Sequence, residues 1–133
     1  SGADTIEVKK LFNSDIKDFI TKAEIIQNAK VINNNICLAY TKTETDNINI
    51  VIAQAADELL NIKEVEASFV LARKDDRVFI SARSLGNINV HVLMENLGGG
   101  GHRDMAGAQL DTSLEKAYEM VKDTIQTCIK EEE

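Results

Sequence analysis

The chain has 133 residues, 44% of them hydrophobic, enough for one domain with its own buried core. Lys and Arg total 15 against 22 Asp and Glu, a net charge of −7, which excludes a generally basic nucleic-acid sponge and makes any anion binding local. Cys37 and Cys128 have neither zinc-site spacing nor a disulfide framework, and no apolar run nears the roughly 20 residues of a membrane helix.

In chain order, Asp4 and Glu7 form a capping-box pattern that predicts a short helix through Phe12. A second helix is predicted from Asp15 to Asn28, with Ile16, Phe19, Ile20 and Ala23 on one face. Lys30–Asn33 and Ile36–Tyr40 flank the Asn34-Asn35 pair and read as a hairpin, since asparagine tolerates positive φ. Ile48, Val51, Ile52, Ala55 and Leu59 recur at helical spacing and place a helix over 48–60. Val65–Ala72 and Arg77–Ser84 read as two strands joined at Lys74-Asp75-Asp76. Both are apolar on both faces for much of their length, as central strands of a covered sheet are. Asn89 is the expected cap of a helix over 90–97, and Gly107–Leu110 is a short strand. Thr112 and Glu115 form a second capping box. The helix that follows carries Leu114, Ala117, Tyr118, Val121, Ile125 and Cys128 on one stripe. The alternation of strands and helices predicts an α/β fold, a mixed central sheet with flanking helices. N-terminal connector helices over 1–29 precede a domain over 30–133.

Five of the seven glycines fall in residues 98–110, GGGGHRDMAGAQL, and four are consecutive. Such a run lets a ligand approach the main chain without a Cβ in the way. Its successive N–H groups can converge as an anion nest, with His102 and Arg103 as adjacent donors. A plain loop is the other reading. The run is neither a Walker A loop, which needs Lys-Ser or Lys-Thr after it, nor a dinucleotide fingerprint, which opens a helix after a strand. Arg83 ends a central strand on the same face as Arg77, Phe79 and Ser81. It either points into a ligand crevice or pairs with a surface carboxylate. His91 reads as a surface helix residue. His102 reads as a phosphate donor, a metal ligand or a loop residue. With two histidines and no HExxH or DxD pattern, the chain is not expected to hold a catalytic metal centre.

GGGGHRDMAGAQL, with SARS (81–84) and INVHVLMENL (88–97) before it, closely resembles the DHHA1 domain of the DHH phosphoesterases. Within them it is most similar to the cyclic-di-AMP phosphodiesterases of the GdpP/YybT type, which carry a similar INV-x-x-x-ME-x-LGGGGH segment. The resemblance covers the chain from about Lys30 onward. It implies a lobe that binds the nucleotide while a separate DHH lobe holds two manganese ions. It implies substrate binding by Arg83, Ser84, Gly99, Gly100, Gly101 and His102, and by Arg103, a position that varies among relatives. The DHH motif and its acidic ligands are absent here, so the chain resembles half an enzyme, with no catalytic residue and no cofactor of its own. The implied partners are a cyclic dinucleotide or short oligonucleotide, the upstream DHH domain, and a second copy in a homodimer. The fragment is expected to be soluble and cytoplasmic, and the full-length protein membrane-anchored. The alternative is a nucleic-acid-binding module like those beside single-strand exonuclease and alanyl-tRNA synthetase domains.

Overall fold

The computed structural model describes residues 16–132, so the predicted capping box at Asp4 and Glu7 lies outside the described residues. In order come α1 (Ile16–Gln27), β1 (Lys30–Ile32), β2 (Ile36–Thr41), α2 (Ile48–Leu59), β3 (Ala67–Lys74) and β4 (Arg77–Ser84). Then follow α3 (Val90–Glu95), β5 (Gly100–Gly101), β6 (Met105–Leu110) and α4 (Leu114–Glu132). Among the described residues the six strands form one sheet in the order β1-β2-β3-β4-β6-β5. The β2–β3 pair is parallel and the other pairs are antiparallel, with α2 as the parallel crossover. This is the mixed α/β sheet that the sequence predicts, with β3 and β4 at its centre.

Each face has its own core. Leu38, Phe69, Leu71, Ile80 and Ala82 meet Leu93 and Met94 of α3 and Val121 and Ile125 of α4. On the opposite face Cys37, Ala39, Val70 and Ala72 meet Val51, Ile52, Ala55 and Leu59 of α2, with Ile25 of α1 beneath. Two hairpins fix the order of the strands. Asp75 and Asp76 both have positive φ, the two-residue turn that matches strand twist. The first hairpin turns at Asn33 and Asn34, one residue before the expected pair, because Asn35 N–H bonds back to Ile32 O.

Two further details depart from expectation. Ile16, Phe19 and Ile20 do share one face of α1, but that face is exposed (73%, 60% and 50%). The inward face is Asp18, Thr21 and Ile25. Asp18 is tolerated there because it accepts a hydrogen bond from Asn47 Nδ2 at 3.2 Å, and Thr21 donates to Lys17 O at 2.7 Å. At α4 the cap is Ser113, whose hydroxyl accepts from Lys116 N–H at 3.2 Å, and not Thr112.

Candidate functional site

The glycine run is divided among three tasks. Gly98 N–H bonds Glu95 O at 3.0 Å and Gly99 N–H bonds Met94 O at 2.8 Å. With Gly98 at φ +83°, this is the Schellman end of α3. A Cβ on Gly99 would overlap the Gly107 carbonyl and Ala108 of β6, so the chain passes over that strand only without a side chain. Gly100 and Gly101 then pair with Gly107 and Ala106 as an edge strand. His102 N–H bonds Met105 O at 2.7 Å and closes the turn. The expected nest of successive N–H groups is therefore not formed: the amides of Gly98, Gly99 and His102 serve the helix end and the hairpin. His102 and Met105 exchange both backbone bonds, so ladder alternation has Gly100 bond to Gly107 and leaves the N–H of Gly101 at the open edge. Gly100 is the exception in the run. It has ordinary φ, and a Cβ added to it would meet nothing within 4 Å.

Register gathers the rest of the site onto one face. Arg83 lies opposite Met105, which lies opposite His102 across β5–β6. Ser81, Gly107 and Gly100 form the next row, and Phe79 and Gln109 the one after. Neighbouring strands are about 4.8 Å apart and successive rows on one face about 6.6 Å. On this face α2 packs on β3 and β4, and β6 and β5 extend beyond it. What remains is a groove beside α2 with a floor of Ser81 and two glycines. Arg83, Met105 and His102 stand at one end. The other end opens as a cleft of about 510 Å³ lined by Asn49, Arg77, Phe79, Ser81, Gly107 and Gln109.

The predicted site residues separate accordingly. Arg83 makes the ion pair that one of its two readings expects. Nε donates to Asp57 Oδ1 at 3.0 Å and Nη1 to Ala82 O at 2.9 Å, and the side chain, 13% exposed, borders the groove. His102 is exposed at the end of the same row. Ser84 faces the other way, by strand alternation, and is buried; its hydroxyl accepts from Gly86 N–H at 2.9 Å. Arg103 donates from Nε to Gly86 O at 2.8 Å, while Ser84 N–H bonds Asp104 O. Ser84 and Arg103 thus knot the end of β4 to the β5–β6 turn and are not brought onto the groove floor. Sequence reasoning missed Asp57, Asn49 and Gly107. The parity that put Ser81 beside Arg83 would have found Gly107 once its strand was paired with β4.

The groups with displaced titration lie elsewhere. Burial pushes the Cys37 thiol up. Burial, then the neighbouring Tyr40 and Glu119, push the Tyr118 phenol up. Tyr118 meets Tyr40 edge-on, with ring centroids 5.4 Å apart, in a cleft of about 280 Å³ between β2 and α4. Among the described residues no three His, Cys, Asp or Glu side chains come together to hold a metal, so these residues do not fit a metal centre. No described helix is long and apolar enough to cross a membrane.

The family model for the DHHA1 domain matches residues 33–131. The chain is 43% identical over 128 residues to the cyclic-di-AMP phosphodiesterase GdpP of Bacillus subtilis (strain 168), a match covering 93% of this chain and 19% of that protein. It therefore spans about a fifth of the length of that curated relative. Among solved structures, an exopolyphosphatase-related protein from Bacteroides fragilis superposes with a TM-score of 0.76 at 20% identity, covering 90% of this chain and 37% of that one. The pGpG-specific phosphodiesterase PggH of Vibrio cholerae superposes with a TM-score of 0.55 at 18% identity, covering 83% of this chain and 38% of that one. These two likenesses concern the fold. The glycine segment, the mixed sheet it borders and the family match agree, and the chain belongs to the DHHA1 domain family.

Proposed function

We propose that this chain is the substrate-holding lobe of a phosphodiesterase that hydrolyses cyclic-di-AMP or short linear dinucleotides. The observation that carries the reading is the row Arg83–Met105–His102 beside a glycine floor on which Gly100 has no steric reason to be glycine. A guanidinium braced by Asp57 and an exposed imidazole, about 10 Å apart across two strand spacings, suit a phosphodiester lying along the groove. The name of the 43% identical relative supports this substrate class. In this reading the cleaving machinery, a DHH lobe with manganese, belongs to the larger part of the protein. Arg83 and His102 hold and orient the ester, and the fragment alone hydrolyses nothing. The exposed Ile16, Phe19 and Ile20 stripe supports residues 1–29 as the connector to that lobe.

Titration of the 15N-labelled chain with pApA tests the reading. The amides of Gly100 to His102 and the Arg83 Nε–H should shift together. If they stay unmoved at millimolar pApA, the proposal fails. Binding that strengthens with strand length and weakens steeply with salt would replace it with a nucleic-acid module, a reading that the net charge of −7 disfavours.

A further inference from the structure

We infer that Met105 is a site of reversible oxidation and that its sulfoxide oxygen occupies the donors of Arg83 and His102, closing the row to a phosphodiester. The inference rests on the phosphate reading of that row and names a way in which it is regulated. Met105 stands directly opposite Arg83 across β4–β6 and directly opposite His102 at the β5–β6 turn. Directly opposed residues hold their Cβ atoms about 4.5–5.5 Å apart, so the thioether lies within reach of both the guanidinium and the imidazole. A thioether is a weak acceptor and donates nothing. In its reduced form Met105 therefore neither holds an anion nor engages the donors on either side of it.

The three methionines differ in access. Met94 is fully buried, Met120 is 41% exposed on α4 across the sheet, and Met105 is 51% exposed in the groove. The thiols compete poorly for an oxidant. Cys37 and Cys128 are both buried, and burial pushes the Cys37 thiol up, away from the reactive thiolate. The oxidant is hydrogen peroxide. A lone pair of Met105 Sδ attacks one peroxide oxygen, the O–O bond breaks, one S–O bond forms and water leaves. Sulfur gives up two electrons and the peroxide takes them. The new oxygen is a strong acceptor where there was none. Asp57 and Ala82 O take one N–H each from Nε and Nη1 of Arg83. The remaining guanidinium N–H groups are those a phosphodiester would use, and the sulfoxide oxygen competes for the same ones. Being tethered beside them, it competes as an intramolecular ligand against one in solution.

The test is peroxide treatment of the 133-residue chain, with the added oxygen located by peptide mass spectrometry and pApA binding measured by calorimetry before and after. Met105 and Met120 should each gain one oxygen atom and Met94 none. Affinity for pApA should fall about tenfold, as expected when a bond to a charged donor is lost to a competitor. Methionine sulfoxide reductase should restore it. The Met120→Leu chain should lose affinity on treatment to the same degree. The Met105→Leu chain, whatever its own affinity, should bind equally before and after. Without ligand, the Arg83 Nε–H signal should move on oxidation and stay in place in Met105→Leu. If peroxide leaves Met105 unmodified, if the chain oxidised at Met105 binds pApA as before, or if Met105→Leu remains sensitive to peroxide, the inference is overturned and the phosphate row stands. If the untreated chain does not bind pApA, the phosphate reading falls, and an Arg83 signal unmoved by oxidation overturns the sulfoxide contact as well.

Discussion

The two faces of the sheet are built from the same strands to opposite ends. Along β4 the even residues Val78, Ile80 and Ala82 are buried among α3 and α4. The odd residues Arg77, Phe79, Ser81 and Arg83 lie half-buried or exposed beside α2. One face is covered by two helices and closes over a continuous aliphatic core. The other is covered only on its β1–β4 side, and its bare part is floored by residues too small to pack on anything. A strand of eight residues thus separates what holds the fold from what faces the groove, and the separation is a matter of parity alone.

That division sets the expected hierarchy of mutational effects. The largest belongs to the covered face: Phe69→Ala should cost about 3–5 kcal/mol in denaturant unfolding. A loss much under that would mean the aliphatic core does not carry the stability. Next comes Gly99→Ala, which forces a methyl group against Gly107 and should cost about 1–3 kcal/mol. Its neighbour sharpens the contrast. Gly100→Ala should leave stability within about 0.5 kcal/mol while weakening pApA about tenfold, equivalent to about 1.4 kcal/mol of binding. If Gly100→Ala unfolds the chain, or binds as before, the groove is not where ligand meets backbone. Ser113→Ala should cost about 1 kcal/mol by uncapping α4, with no change in binding. Asp57→Asn should cost under about 1 kcal/mol of stability, since Asp57 is 61% exposed and its pair with Arg83 is screened by solvent. Its readout is the Arg83 Nε–H signal, which should broaden or move as the brace is lost.

Legibility followed the range of the interactions. The α2 stripe, the α4 stripe and the Asn89 cap were readable because each depends on residues within a few positions; Asn89 does accept from His91 and Val92 N–H. The inward face of α1 was not, because Asp18 is buried on account of Asn47, 29 residues away. Thr112 and Ser113 are both competent caps, and local pattern could not choose between them. In the site, the glycine run and Arg83 stood out by composition and parity. The same parity already set Ser84 opposite Arg83. What was hidden is how the glycines divide their work, since the close approach at Gly99 exists only once β6 lies beneath it.

The crossover helix that borders the groove also sets its length. Asn49 and Asp57 are eight residues apart on α2, about 12 Å of rise, and keep pace with the span of about 13 Å from Phe79 to Arg83 on β4. The Lys74 ammonium, bonded to Asp46 O at 2.9 Å, ties the start of this helix to the turn that begins β4, so helix and strand are tied together at their origin. The pair behaves as a ruler with fixed marks. Inserting a single residue into the helix would swing Asp57 by about 100° and detach one mark from the other.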